Sequence, residues 1–437
     1  MNDMNRNGVS LHLGTAKLDI TPPHSAPLAG LASRKHGFEG VLHPLFARIL
    51  LFEQLLSDGQ KRRGLIVSAD LIWWGEEHME VVLRKLRKKW ELAPEFVILH
   101  ATHNHSGPQT TGRFTESLGK YNSQYILYLQ QQLFKGIKMA LNNLEPVVIH
   151  KGVGECHIGV NRRKLVKKRV ETAPNPSGPV DPQVNVIRFK TEDGKAKAVL
   201  IHYTCHPLTS TENLVTSEFT GVAMERIESA FGENVVAAYL QGCSGDIQPS
   251  LMVDGKFYYD AGKIGELADL LVDQVLLTLS GPMKSLSPCM LTAKMMEVNL
   301  PFQSVPTVQL LESERGYSGV KGEWCRLLLK NPERRKKCIP FKIQLLNIAD
   351  EFSLLTMNGE VVVEYGLAIK IQYSEKVLPI AYSNGMIGYI PTAKQIEEGG
   401  YEAYESCFYF GLPSPFAPEI EDTIQMNIDS LLNRGEE

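Results

Sequence analysis

Residues 96–108 read FVILHATHNHSGP, so a short apolar run leads directly into a turn that contains several histidines. An apolar run closed by Ser-Gly-Pro is typical of a buried strand that ends at a loop, and the predicted strand spans residues 95–101. On either side of it, segments 76–90 and 122–144 carry apolar residues at helical spacing, and each predicts an amphipathic helix. A buried strand between two such helices predicts a layered α/β structure, in which helices cover the faces of a sheet.

Strand-like and helix-like segments alternate along most of the rest of the chain. Further strands are predicted at 11–20, 46–53, 64–71, 147–153, 184–189, 196–203 and 235–240, and further helices at 220–231, 261–279 and 420–434. The fold class expected from this order is α/β, with a single layered domain over residues 1–437 and a mixed, largely buried sheet flanked by helices.

Two regions interrupt the alternation. Residues 300–340 are charged and less periodic, which predicts an insertion. The basic run at 162–169 precedes a Pro-, Gly- and Ser-rich stretch at 172–182, and together they predict a surface loop. Its cations are expected either to be solvated or to line a site for an anionic ligand.

The composition excludes several classes of protein. Hydrophobic residues make up 43% of the 437 residues, charged residues 22%, and the net charge is −3; these values are ordinary for globular proteins and argue against a nucleic-acid binder. No apolar run is long enough for a transmembrane segment. Seven scattered cysteines without a CxxC pair, and an N-terminus without an apolar signal core, predict a cytoplasmic protein without disulfides. The composition leaves the oligomeric state open.

Histidines are unevenly distributed. All 12 lie at or before position 206. His103 and His105 are two residues apart after the predicted strand, and they would share one face if that strand continued. If the strand predicted at 196–203 is read on to Pro207, which closes it, His202, Thr204 and His206 share one face. Histidine is the commonest metal ligand and proton shuttle, so these residues are candidates for a metal site or for catalysis, or are loop histidines without a ligand.

A third stretch, AYLQGCSGDIQP at 238–249, is an apolar strand followed by a turn of small residues. Small residues let the backbone approach a ligand closely. The spacing matches neither the G-x-S-x-G nucleophile motif nor a phosphate-binding loop. By itself this stretch predicts only a tight turn.

Taken in order, these three stretches resemble the neutral/alkaline non-lysosomal ceramidase family. The shared features are THNHSGP at 102–108, His-Pro at 206–207 and GDIQP at 245–249. Further similar stretches are GTAKLDITPP at 14–23, GVNR at 159–162, SEFTG at 217–221, NGE at 358–360 and SNGMIGYIPT at 383–392. The resemblance therefore extends along nearly the whole chain.

The resemblance implies a set of functional residues. In the family's catalytic domain one zinc is bound by two histidines, a glutamate and a tyrosine. By motif these are similar to His103, His206, Glu360 and Tyr389. His105 resembles the family's second histidine, which contacts the reacting group. Arg162 and Tyr401 resemble residues that hold the substrate or its developing oxyanion. Imidazole nitrogens and a carboxylate are ligands that suit zinc.

One position departs from the family pattern. The serine that the family places before the proline of its Gly-Asp motif, as the proposed catalytic residue, corresponds to Gln248 here. A glutamine amide is not a nucleophile, but it can hydrogen-bond a carbonyl or a water. The family's C-terminal immunoglobulin-like domain is also not expected.

The resemblance therefore implies a zinc-dependent hydrolase that cleaves an amide or ester bond of a small molecule through zinc-bound water. The alternative is a non-catalytic zinc-binding or ligand-binding protein on the same scaffold.

Overall fold

The structure is a computed structural model that describes residues 10–232 and 234–433. The strands are β1 (His12–Asp19), β2 (Gly40–Val41), β3 (Phe46–Leu55), β4 (Lys61–Ala69), β5 (Val97–Ala101), β6 (Glu145–Glu155), β7 (Gly159–Val166), β8 (Arg169–Asn175), β9 (Gln183–Thr191), β10 (Ala196–Tyr203), β11 (Leu214–Val215), β12 (Val236–Gln241), β13 (Ile247–Pro249), β14 (Met252–Val253), β15 (Lys256–Phe257), β16 (Lys284–Leu286), β17 (Pro288–Pro301), β18 (Cys338–Ala349), β19 (Phe352–Met357), β20 (Glu360–Val361), β21 (Val377–Ile380) and β22 (Tyr389–Ile390). The helices are α1 (Glu76–Trp90), α2 (Ser123–Leu141), α3 (Glu218–Phe231), α4 (Ile264–Ser280), α5 (Val308–Glu314), α6 (Val320–Lys330), α7 (Val363–Gln372), α8 (Ala393–Glu398), α9 (Ser406–Phe410) and α10 (Ile420–Asn433).

A mixed sheet dominates the described residues. Eight of its nine strands follow the order β12-β10-β9-β6-β1-β3-β4-β5, and the ninth, β16, pairs with β6 outside this order. The β10–β12 and β4–β5 pairs are parallel, whereas β1–β3, β3–β4, β6–β9 and β9–β10 are antiparallel. Helices and strands thus mix as the sequence predicts, and the α/β fold class is confirmed.

The two halves of this sheet pack against each other. In β3, Ile49 and Leu51 belong to a core shared with α1 and α2, whereas Leu50 and Phe52 point the opposite way. Phe52 meets Phe189 of β9 with ring centroids 5.6 Å apart. On the far side, the outer residues of β10 and β12 form a separate core with α3 and α4. The order of the layers is therefore α1 and α2, the first half of the sheet, the second half of the sheet, and α3 and α4.

A second sheet, in the order β17-β18-β19-β21, contributes to the same central core through Leu346, Leu354 and Ile380. Helices α5 and α6 lie between the antiparallel strands β17 and β18, in the range where the sequence predicts an insertion. Their own small core includes Trp324, whose indole N–H donates to the carbonyl oxygen of Leu412 at 2.6 Å. The α5–α6 segment is thereby attached to the segment that follows α9.

The predicted loop at 162–169 is wrong. These residues form the turn of a hairpin between β7 and β8 together with the strand residues next to it, and Lys167 and Lys168 occupy the turn with φ of 47° and 68°. β8 also takes in the first residues of the predicted 172–182 loop. The pairing arises because four consecutive residues of β7, 160–163, are buried against other elements, which a count of charges does not reveal.

Strands β5 and β10 end at the predicted residues, so the condition for a shared face, that each strand continues as far as its histidines, is not met. β5 ends at Ala101 and β10 at Tyr203, so His103, His105 and His206 lie in the loops that follow. His103 has a φ of 66°, which no strand residue adopts. The last residue of the predicted C-terminal helix, Arg434, and the N-terminal residues 1–9 lie outside the described residues.

All seven cysteines lie within the described residues and are free thiols. No helix in 10–232 or 234–433 combines the length and apolar character needed to cross a membrane.

Helix α2 crosses β1 so closely that only glycine fits at position 14. A Cβ there would lie 1.9 Å from the carbonyl oxygen of Ala140. We expect Gly14→Ala to lower the free energy of unfolding by about 1–3 kcal/mol, because backbone must move to relieve the overlap. The measurement is urea denaturation. Gly316→Ala is the control, since nothing lies within 4 Å of its added Cβ; equal midpoints for the two variants would contradict the prediction.

Candidate metal-binding and catalytic site

Three buried histidines meet where strands from both ends of the large sheet finish. The Nε2 atom of His103 lies 3.0 Å from Nε2 of His206 and 3.0 Å from Nε2 of His105. The folded sheet brings the ends of β5 and β12 together, and the backbone N–H of Gln241 donates to His100 Nε2 at 2.8 Å. This contact joins β5, the strand that precedes His103, to β12. Strand β12 in turn lies beside β10, the strand that precedes His206.

Two of these histidines are oriented by backbone carbonyls. Nδ1 of His103 lies 3.0 Å from the carbonyl oxygen of Ile72, and Nδ1 of His206 lies 2.6 Å from that of Ser244. A carbonyl oxygen only accepts hydrogen bonds, so Nδ1 carries the proton in both rings. The Nε2 lone pairs of His103 and His206 therefore point towards the centre of the cluster, as in metal-ligating histidines.

Glu360 completes the cluster with a carboxylate. Its Oε2 atom lies 3.1 Å from His103 Nε2 and 3.5 Å from His206 Nε2, is buried, and has no hydrogen-bond partner among the described residues. Burial raises the pKa of Glu360, and only positive charge on His103 or His206 brings it well below its ordinary value. A buried anionic oxygen facing nitrogen lone pairs is electrostatically unsatisfied, and a cation bound among these atoms would satisfy all of them. The donor set fits zinc.

His105 differs from the other two histidines. Its Nδ1 atom is buried without a hydrogen-bond partner, and it lies so close to Gly30 that a Cβ there would be 2.5 Å away. Burial, followed by the charges of His103 and His206, lowers the pKa of His105 well below its usual value. The three imidazoles form one possible ligand group, and His103, His206 and Glu360 form another.

Arg162 connects the other predicted residues. Its guanidinium donates from Nε to Glu402 Oε1 at 2.8 Å, from Nη1 to Gln248 Oε1 at 3.3 Å and from Nη2 to the Tyr389 hydroxyl at 2.9 Å. It also lies 5.8 Å from the ring centroid of Tyr401, a distance at which a cation attracts an aromatic face. Tyr389 pairs with Glu360 across the parallel β20–β22 bridge. The structure therefore brings together every residue that the sequence proposes for the site.

Both ends of the Gln248 amide are engaged. Oε1 accepts from Arg162, and Nε2 donates to the carbonyl oxygen of Leu208 at 3.2 Å. Nearby Cys243 is fully buried, and burial raises the pKa of its thiol far above the usual value. A thiolate at Cys243 is therefore strongly disfavoured.

His100 and His202 serve the core instead. His100 contacts Ser383 Oγ through Nδ1 at 2.9 Å, and His202 Nε2 lies 2.9 Å from the carbonyl oxygen of Pro379. Burial lowers the pKa of each to about 3. Both are neutral, hydrogen-bonded core residues that point away from the cluster.

Sequence reasoning missed Tyr382, whose ring stacks on His103 at a centroid distance of 4.1 Å. It is a single tyrosine that directly precedes the SNGMIGYIPT stretch. No spacing or composition signal marks it, because the contact is made across 279 positions of the chain and only the folded sheet creates it.

Comparison with known proteins confirms the family. Residues 11–276 match the model of the neutral/alkaline non-lysosomal ceramidase family, N-terminal region, so the chain belongs to this family. It is 27% identical over 255 residues to the neutral ceramidase of Pseudomonas aeruginosa, a match that covers 54% of this chain and 37% of that protein. In sequence, the match thus spans little more than a third of this relative's length.

Two solved structures share the fold. The crystal structure of neutral ceramidase from Pseudomonas aeruginosa superposes with a TM-score of 0.75 at 19% identity, covering 97% of this chain and 74% of that one. A ceramidase complexed with C2 gives a TM-score of 0.73 at 19% identity, with 97% and 75% coverage. The likeness extends over nearly all of this chain.

The buried Arg162 depends on Glu402, which also accepts from Arg163 Nη1 at 2.9 Å. We expect Glu402→Ala to lower the free energy of unfolding by about 3–5 kcal/mol, because it leaves the buried guanidinium of Arg162 without a carboxylate and that of Arg163 with only the more distant Glu398, at 3.4 Å. Urea denaturation measures the effect. Glu266→Ala, which removes an exposed i,i+3 pair with Lys263, is the control and should change stability by less than about 1 kcal/mol. Similar losses in both variants would contradict this account.

The Glu402 carboxylate also makes the free energy of unfolding depend on pH. Burial raises the pKa of Glu402, but Arg162 and Arg163 lower it below its ordinary value in the folded protein. Its stabilising effect is therefore present above the unfolded pKa of about 4.3 and is lost as pH falls through the lower folded pKa. We expect the difference in unfolding free energy between wild type and Glu402→Gln to shrink between pH 6 and pH 3; a constant difference would refute the assignment.

Proposed function

We propose that this protein is a zinc-dependent hydrolase of an amide or ester bond in a small-molecule substrate, with zinc held by His103, His206, Glu360 and Tyr389. The observation that carries the proposal is the unpartnered Glu360 Oε2 atom, which faces two imidazole nitrogens at 3.1 and 3.5 Å. Family membership supports amide hydrolysis, since the relative with matching sequence is a neutral ceramidase.

The hydrogen bonds of the histidines favour this ligand set over the three-histidine group. His103 and His206 each have the carbonyl partner at Nδ1 that ligating histidines nearly always possess, whereas His105 has none. His105 is thus left free to take either tautomer. A histidine that can exchange protons at both nitrogens suits proton transfer better than permanent ligation.

Tyr389 is the least ordinary of the proposed ligands. Burial and the charge of Glu360 raise the pKa of its hydroxyl well above the usual value, while Arg162 acts in the opposite direction. The hydroxyl oxygen accepts a hydrogen bond from Arg162 at 2.9 Å. A metal cation would act in the same direction as Arg162 and favour binding through the oxygen.

Each residue of this site has a definite part in the proposed reaction. Bound zinc would supply a Lewis acid that polarises the scissile carbonyl and lowers the pKa of a water molecule. His105 accepts the proton of the attacking water and delivers it to the leaving group. Arg162 and Tyr401 hold the oxyanion that develops on the substrate carbonyl. Glu402 keeps Arg162 rigid, so little reorganisation is needed as the charge forms.

Water is the proposed nucleophile because the site offers no suitable side chain at the family's serine position. The Gln248 amide is chemically unsuitable and is already hydrogen-bonded at both ends. The second candidate function is that of a non-catalytic binding protein, since Gln248 hydrogen-bonds Arg162 at the position where the family has its serine. Stoichiometric zinc without turnover across a library of amides and esters would favour that alternative.

The ligand assignment predicts which histidines retain metal. His103→Ala and His206→Ala should each abolish zinc retention in the purified protein, because each removes a nitrogen that faces Glu360. His100→Ala and His202→Ala should keep stoichiometric zinc, since those rings bond Ser383 and the carbonyl of Pro379. Elemental analysis measures zinc, and circular dichroism checks folding. Equal loss in all four folded variants would disprove the assignment.

The water mechanism predicts a graded response to substitution. On an N-acyl amide or acyl ester that is turned over, Gln248→Ala should lose about 10²-fold in kcat, as expected when an orienting group is removed. His105→Ala should lose about 10⁴-fold, the upper range for proton transfer. Cys243→Ala should retain activity.

Mass spectrometry under turnover should show no acyl adduct on the chain. An adduct on Cys243 or Ser244, or loss of activity in Cys243→Ala with zinc still bound, would rule out attack by water.

A further inference from the structure

Tyr382 packs directly on one of the proposed metal ligands. Its ring and the imidazole of His103 are stacked, with an interplanar angle of 27° and centroids 4.1 Å apart. Both side chains are fully buried. The ring therefore restricts rotation of His103 and holds its Nε2 atom towards Glu360.

The hydroxyl group of Tyr382 supports a second ligand indirectly. It lies 3.0 Å from Ser244 Oγ. The carbonyl oxygen of Ser244 is the acceptor that orients His206 through Nδ1 at 2.6 Å. The tyrosine hydroxyl thus anchors the residue that sets the direction of the second imidazole.

The backbone of Tyr382 reaches the third ligand. Its N–H donates to the carbonyl oxygen of Gly359, next to Glu360, at 3.2 Å, and its own carbonyl accepts from Ala101 at the end of β5 at 3.1 Å. Its φ of 53° lies in the left-handed region, which costs a non-glycine residue about 1 kcal/mol or more. Such a conformation persists where surrounding contacts require it, and such residues concentrate at functional sites.

From these contacts we infer that Tyr382 is a positioning residue for the metal centre, which holds His103, His206 and Glu360 in one arrangement before the metal binds. The inference rests on the proposed zinc site and adds a residue that lies outside the proposed set of metal ligands. Outer residues that orient metal ligands typically contribute a factor of about 10–100 in metal affinity. Tyr382 contacts one proposed ligand directly and contacts residues that orient or adjoin the other two. Its contribution to metal affinity should therefore lie in this range.

The test compares zinc affinity in Tyr382→Leu and Tyr382→Phe with the same changes at Tyr125. Tyr125 is a matched control because it is equally buried and its hydroxyl also makes one hydrogen bond, to the carbonyl of Ile20 at 3.0 Å. Competition with a chromophoric chelator gives the zinc dissociation constant of each full-length protein. The visible spectrum of the Co²⁺-loaded proteins reports ligand geometry, and denaturation of the metal-free proteins reports stability.

We expect Tyr382→Leu to weaken zinc binding about 10–100-fold and to alter the Co²⁺ spectrum. Tyr382→Phe, which keeps the stacked ring but removes the hydroxyl contact with Ser244, should weaken zinc binding measurably but by less than about tenfold, and it serves as the test if the leucine variant does not fold. The Tyr125 variants should lose stability but bind zinc as wild type does. Wild-type affinity and spectrum in the Tyr382 variants, or equal weakening at Tyr125, would overturn the inference alone. A wild-type protein that binds no zinc would overturn the proposed function as well.

Discussion

The site exists because the large sheet folds back so that its two halves share one apolar core. Contacts such as Phe52 on Phe189 bring β5, at one end of the strand order, against β10 and β12 at the other end. The loops after these strands then carry His103 and His206 to within hydrogen-bond distance of each other. Neither loop alone brings these imidazoles together; the burial of apolar area between the sheet halves supplies the free energy that brings unsatisfied polar groups together.

Charge compensation organises the remainder of the site. Arg162 is a buried cation whose donors go to Glu402, Gln248 and Tyr389, so its guanidinium links the segments that carry these three side chains. Glu360, by contrast, is a buried anion with one oxygen left unpartnered. The contrast between a fully compensated cation and an uncompensated anion identifies where a further positive charge belongs. Burial makes both effects strong, since little water is present to screen them.

Much of the fold follows from local sequence pattern. Helix α1 spans the predicted residues 76–90, and β10 the predicted 196–203, because amphipathic or apolar periodicity determines both. The β7–β8 hairpin was not predictable from its composition, because its pairing depends on burial of Arg163 against Glu402 and Gly399, more than 200 positions away. The site residues were found through family motifs, whereas Tyr382 has no motif and its role arises only from tertiary contact.

The α5–α6 segment between β17 and β18 has a consequence for how this fold can diversify. Because β17 and β18 pair on either side of it, changes in its length leave the register of that ladder unaltered. Yet it binds the segment after α9 through Trp324 and Leu412, and in α9 the Phe410 ring lies 6.0 Å from that of Tyr389. Insertions, deletions and substitutions in α5 and α6 can therefore change the packing behind Tyr389, one of the proposed zinc ligands, without altering the pairing of the two strands that flank them.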